Sequence, residues 1–196
     1  MECEEISIKS DQIYTSCYCE ENVWKLCDKI QNSKNLRNLV EKGNVYAIFI
    51  SNENKTVPLW QQSASENEDG LVVWDYHVIL AMKGEKCMVF DLDTKLPYPC
   101  EFEQYSERTF QSDDNIMEKF HRKFRVITIQ DFLEHFASDR RHMKDANGEW
   151  IKPSPNYPCI QTSKSCNNID IFISMDKNVG WGEVLSLKQF IDLFSN

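Results

Sequence analysis

Two cysteines placed two residues apart, a histidine inside an apolar run and an aspartate on the following run have the types and spacing for covalent chemistry. Cys17 and Cys19 stand just ahead of Val23, Trp24, Cys27 and Ile30, which recur at helical spacing. A thiol at a helix start lies beside amides that have no helical partner, and those amides favour thiolate, the nucleophilic form. Ser16 reads as the N-cap. Glu20 and Glu21 suit the positive end of the same helix. Spacing alone does not rank the two cysteines, and packing as small apolar side chains is the plain alternative for both.

A thiol needs a base, and His77 and Asp91 fall on neighbouring strand candidates. A three-residue turn over positions 83–85 pairs Met82 with Lys86, and that register sets His77 directly opposite Asp91, with Cβ atoms about 5 Å apart. A two- or four-residue turn breaks the pairing, because side chains alternate between faces. The same parity puts Asp75 and Asp93 on the face of His77, with Trp74, Tyr76 and Val78 on the other. A carboxylate beside an imidazole fixes its tautomer and stabilises its protonated form. An isolated histidine in an apolar strand is more often a hydrogen-bonded core residue. With a cysteine at a helix start, however, the order Cys, His, Asp is that of papain-like and transglutaminase-like enzymes.

The elements that must hold these groups follow from the pattern of the chain. Residues 20–31 form a first helix, and 36–42 a second, stopped by Gly43. Residues 45–50 read as a strand and 56–62 as its hairpin partner, with Pro58 marking an edge or bulge. The apolar run 71–82 reads as one strand and 86–93 as its return. Residues 94–121 are loop-rich. A strand at 125–129 leads into a helix carrying Ile129, Phe132, Leu133 and Phe136. Pro153, Pro155 and Pro158 mark an extended surface loop. The closing helix opens on a capping box at Ser186 and Gln189 and presents Leu187, Phe190, Ile191 and Phe194 on one face. The fold class is therefore α+β, one domain over residues 1–196, with a mostly antiparallel central sheet and packed helices.

Bulk properties exclude several classes. The 196 residues carry 41% hydrophobic and 27% charged side chains, with a net charge of -9. Nucleic-acid binders show a basic footprint, which the short runs at Arg122–Arg125 and Arg140-Arg141 do not supply; these read as solvated faces. No apolar run approaches the roughly 18 residues of a membrane span. The acidic opening, Met1 to Glu5, is unlike a signal peptide, so a reducing, cytoplasmic compartment is expected, with the nucleus as a second one. The cysteines at 3, 17, 19, 27, 87, 100, 159 and 166 include no C-x-x-C pair, so structural zinc is not expected. His121, His135 and His142 lie in charged surroundings and are expected to face solvent. Gly180-Trp181-Gly182 is a tight loop too short to cradle phosphate.

Seven blocks of the chain resemble the protein N-terminal glutamine amidohydrolase family. They are Ser16-Cys17-Tyr18-Cys19-Glu20-Glu21-Asn22, Val73-Trp74-Asp75-Tyr76-His77-Val78, Phe90-Asp91-Leu92-Asp93-Thr94 and Leu96-Pro97-Tyr98-Pro99-Cys100. Lys123-Phe124-Arg125-Val126, Phe136-Ala137-Ser138-Asp139-Arg140 with His142-Met143-Lys144-Asp145, and Phe172-Ile173-Ser174-Met175-Asp176 with Val179-Gly180-Trp181-Gly182 complete the set. The resemblance implies a papain-like/transglutaminase-like fold with the nucleophile at a helix N-terminus, working as a monomer without cofactor or metal. It assigns the nucleophile to Cys19, the base to His77 and the orienting carboxylate to Asp91. The implied reaction converts N-terminal glutamine of proteins or peptides to glutamate with release of ammonia, feeding the arginylation branch of N-terminal degradation signalling. A free α-ammonium must then be recognised, and Asp75, Glu20 and Glu21 are the candidate substrate-binding residues. Two rival readings remain. One is another Cys-His-Asp thiol enzyme, a protease or transglutaminase, told apart by ammonia release without chain cleavage or crosslinking. The other is a non-catalytic binding module, which an alkylation-resistant Cys19 would favour.

Overall fold

The computed structural model describes residues 6–195; the acidic opening at 1–5 lies outside the described residues. Helix α1 runs from Cys19 to Asn32 and a short α2 from Arg37 to Glu41. Gly43, at φ 68°, takes the left-handed turn that ends α2. The chain then enters β1 (Val45–Ser51), β2 (Val57–Leu59), β3 (Val72–Trp74), β4 (His77–Lys83), β5 (Cys87–Phe90) and β6 (Cys100–Glu101). Helix α3 (Phe102–Tyr105) continues as a π-helical turn, Ser106–Phe110. Strand β7 (Lys123–Thr128), α4 (Ile129–His135), α5 (Ile169–Ile173), β8 (Glu183–Ser186) and α6 (Leu187–Phe194) complete it.

Six strands form one antiparallel sheet in the order β6-β5-β4-β1-β7-β8. Both faces are covered. Ala47, Phe49, Val78 and Leu80 pack with Val23, Leu26, Ile30 and Phe132 on one side. Ile48, Ile50, Ile79 and Ala81 pack with Phe102, Phe110 and Phe190 on the other. A central strand buried on both faces reads as an unbroken apolar run, as β4 does. Phe190 of α6 stacks on Phe124 of β7 with ring centroids 4.2 Å apart. The capping box expected at Ser186 and Gln189 is present.

Several expectations need correction. Residues 71–82 are two strands, broken at Asp75 and Tyr76, and β2 pairs with β3 in a separate two-stranded sheet rather than with β1. The turn after β4 pairs Lys83 with Cys87, not Met82 with Lys86. The register is thus displaced by two residues, which keeps the parity but removes the direct opposition of His77 and Asp91. The stretch 94–121 is less loop-like than expected, for it carries β6 and α3 and buries Phe102, Tyr105 and Phe110.

The basic runs make solvated faces only in part, through Lys123 and Arg141. Arg122, Arg125 and Arg140 are buried. Arg125 donates to the carbonyls of Ser174, Asp176 and Trp181, tying the segment before β8 to the sheet. Gly182, at φ 76°, lets that segment press against the Val126 carbonyl, where any Cβ would collide.

Candidate active site

The N-terminus of α1 meets the end of the sheet where β4 begins and β5 ends. Tyr18, not Ser16, occupies the N-cap position, and no side chain caps the helix there. The approach is held differently: Asn22 accepts from the Thr15 amide and donates to the Thr15 carbonyl, both at 2.8 Å. Cys17 takes a left-handed conformation, φ 68°, that swings the chain into the helix. The first helical hydrogen bond runs from the Asn22 amide to Tyr18, so the amides of Cys19, Glu20 and Glu21 stand ahead of it.

His77 begins β4 beside Ile50 of β1 and is fully buried. Its Nε2 lies 3.0 Å from Asp91 Oδ1. A carboxylate only accepts, so Nε2 carries the proton and Nδ1 holds the free lone pair. That Nδ1 is buried and has no hydrogen-bond partner among the described residues. Trp74 stacks on the ring at a centroid distance of 5.3 Å. Asp91 is fixed from four directions. Beyond His77 it accepts from the Asp93 amide at 2.9 Å, the Tyr105 hydroxyl at 2.7 Å and Gln62 Nε2 at 3.3 Å. An isolated β-bridge between Gln62 and Thr94 brings Gln62 to this position.

The thiol of Cys19 sits among these groups. Its sulphur has the amide of Val78, the residue after His77, as a neighbour that favours the thiolate, and lies 3.8 Å from Glu20 Oε2. Cys19 and His77 share Glu20 and Asp93 as charged neighbours. Burial pushes the Cys19 thiol well above its usual range, and the charges of Glu20, Asp93 and Asp75 push it further. The expected thiolate-favouring helix start is therefore outweighed by desolvation and negative charge. Burial also opposes the imidazolium of His77, but the Asp91 carboxylate overcomes it and holds His77 above its ordinary value. Burial opposes the Asp91 carboxylate likewise, and His77 with Tyr105 more than compensates, leaving Asp91 below its ordinary value.

A cavity of about 280 Å³ opens over the sulphur, lined by Cys17, Cys19, Trp74, Asp75, Asp93 and His142 among others. His77 and Asp91 lie behind this wall. Cys17 is half-buried on the cavity surface rather than packed in the core. Trp74 and Tyr76 also line the cavity, contrary to the face expected for them, because the strand breaks at Asp75. Tyr76 donates to Glu20 Oε2 at 3.0 Å. Glu20 Oε1 is buried without a hydrogen bond, and His142 Nε2 stands 3.6 Å away. His142 is thus a cavity residue, not a solvent-facing one. Both oxygens of Glu21 are taken by Arg140 at 2.8 Å. Asp75 is exposed at the cavity, with Oδ1 accepting from the Tyr76 amide.

His77, Asp91 and Asp93 each offer a donor atom within 4.8 Å of the others and are the residues here that would serve a metal ion. A cation there would have to displace the hydrogen bonds that already satisfy Asp91. All seven cysteines among the described residues are free. No helix among those residues is long and apolar enough to cross a membrane.

Sequence reasoning missed Tyr105, Gln62, Tyr14, whose hydroxyl donates to Asp93 Oδ1 at 2.6 Å, and His142 as parts of this site. The first three approach from segments without periodicity, so no local pattern marks them.

The profile of the N-terminal glutamine amidase family matches residues 14–194. The protein N-terminal glutamine amidohydrolase of Bos taurus is 50% identical over 186 residues, 94% of this chain and 87% of the bovine protein. Its counterpart in Homo sapiens is 50% identical over 186 residues, covering 94% and 88%. That of Drosophila melanogaster is 46% identical over 187 residues, covering 94% and 89%.

Proposed function

The chain belongs to the N-terminal glutamine amidase family and hydrolyses the side-chain amide of N-terminal glutamine; from that premise we propose that Cys19, His77 and Asp91 perform the reaction through a thioester. The observation that carries the assignment is the buried His77–Asp91 pair at 3.0 Å, which shares Glu20 and Asp93 as charged neighbours with Cys19 at the start of α1. The fold is read as papain-like/transglutaminase-like on the same ground: a helix-borne cysteine, a strand-borne histidine and an aspartate following the next strand. A single domain working as a monomer carries the activity, without cofactor, in the cytoplasm and nucleus. Its product enters the arginylation branch of N-terminal degradation signalling.

The steps follow from the proton inventory. Nδ1 of His77 takes the thiol proton as the sulphur bonds to the carboxamide carbon, and the amide oxygen becomes an oxyanion. Amides at the start of α1, including that of Cys19, stabilise this charge. His77 then gives the proton to nitrogen, the carbon–nitrogen bond breaks and ammonia leaves. Water attacks the γ-glutamyl thioester with loss of its proton to His77. The carbon–sulphur bond breaks, and the proton returns to sulphur. Asp91 keeps the imidazole in register throughout.

The α-ammonium of the substrate is separated from the reacting carbon by a three-carbon stem, so its receptor must lie on the same cavity. Asp75 presents its carboxylate there, and Glu20 lies buried behind the cavity residues Tyr76 and His142. Glu21, committed to Arg140, supports them from behind. Cys19→Ala is expected to fold normally and to abolish ammonia release from a Gln-initiated peptide, measured by coupled ammonia assay and mass spectrometry. Retained turnover would remove Cys19 from the mechanism. An Asn-initiated or N-acetylated peptide is expected to be a poor substrate, and equal turnover of the acetylated one would refute ammonium recognition.

A further inference from the structure

One carboxylate at the site has no part in the steps above. Asp93 is 6% exposed, lines the cavity beside Cys19, and stands with Asp91 around His77. Its Oδ1 is clamped by the Tyr14 hydroxyl at 2.6 Å, and its backbone is held by the Ser63 amide at 2.6 Å and by its own amide on Asp91. Oδ2 accepts no hydrogen bond from any described residue. A buried carboxylate pinned on one side and open on the other is built to receive a donor.

We infer that Asp93 reads the carboxamide nitrogen of the glutamine side chain, accepting its N–H and holding the ammonia that leaves. This rests on the Cys19 nucleophile proposed above and extends it to the leaving group. The substrate amide offers two N–H donors, and the nitrogen gains positive character when His77 protonates it. An anionic acceptor at that place is worth more in the transition state than in the ground state. The product ends in a carboxylate, which Asp93 repels. One residue would thus favour glutamine over glutamate on entry and expel glutamate after hydrolysis.

The test compares two leaving groups on one acyl chain: a Gln-initiated peptide and the same peptide beginning with glutamate γ-methyl ester. The ester passes through the same thioester, but its departing methanol has no N–H to give Asp93. Asp93→Asn is expected to lower kcat/KM for the amide about 10- to 100-fold and for the ester only a few-fold. It is also expected to tighten inhibition by the Glu-initiated product. Tyr14→Phe, at a half-exposed residue, loosens Asp93 without removing its charge and should lower the amide-to-ester ratio a few-fold. Equal losses on both substrates, or an unchanged ratio in both variants, would overturn the inference. Cys19→Ala run alongside reports separately on the nucleophile, since its failure to abolish both reactions would strike the thioester and not Asp93.

Discussion

Asp91 is held by a histidine, a tyrosine, a glutamine and a backbone amide, so its carboxylate is fixed in place before any substrate arrives. That arrangement has a pH signature. His77 must be neutral to accept the thiol proton, and Asp91 holds it above its ordinary value, so the acid limb of kcat/KM should lie above the reference value of about 6.5. In Asp91→Asn the stabilising charge is gone while burial remains, which moves the histidine down. The acid limb should then shift to lower pH while kcat falls by roughly 10³- to 10⁴-fold, as for loss of the analogous aspartate in a serine triad. A pH–rate profile of the two proteins checks both, and an unmoved limb would mean that Asp91 does not set the titration. Strand parity placed the aspartate and the histidine on one face, but the register that set them directly opposite was two residues off. Tyr105 and Gln62 were not legible, because what brings them to Asp91 is the packing of non-periodic segments rather than any spacing in the chain.

Helix α1, packed on the sheet through Val23, Leu26 and Ile30, is also tied to a distant segment by the Glu21–Arg140 pair, 119 residues apart in sequence and buried at both ends. Arg140, in a left-handed conformation, also donates to the carbonyls of Pro155 and Pro158, so it ties the proline loop to the helix that carries Cys19. Removing one partner leaves a buried charge. Arg140→Met is expected to cost about 3–5 kcal/mol in urea denaturation, and Glu21→Gln added to it should recover much of that loss. A loss under about 1 kcal/mol would assign the pair to the surface class. The periodic elements read cleanly from sequence: α1 appears within a residue of its expected bounds, and α4 and α6 form where their apolar stripes fall, although Phe136 lies just past the end of α4. The buried arginines did not, because their partners are carbonyls and carboxylates from distant segments, and a basic pair in isolation looks like solvated surface. The break at Asp75 escaped for a related reason. An apolar run can continue across two strands of different sheets, and composition does not mark the corner.

At the scale of the whole molecule, a sheet covered on both faces confines chemistry to its ends, and here helix, hairpin and loop segments converge on the end that carries His77. The helices α1 and α5 and the loop around His142 supply cavity wall to one side, and Asp75 and Asp93 supply negative charge. The acids around the sulphur alter how its reactivity should be assayed. Resistance of Cys19 to alkylation does not mark a silent binding module, because a protonated thiol is what burial and the neighbouring carboxylates favour. Alkylation by iodoacetamide at neutral pH, followed at Cys19 by peptide mapping in a Cys17→Ala background, should be slow. Glu20→Gln should accelerate it several-fold, and an unchanged rate would show that Glu20 does not restrain the thiol. If the substrate's ammonium binds beside these acids as proposed, its charge would offset their share of the restraint on the thiol, while the larger share, from burial, would remain. A neutral electrophile wandering into the cavity meets sulphur in its inert form.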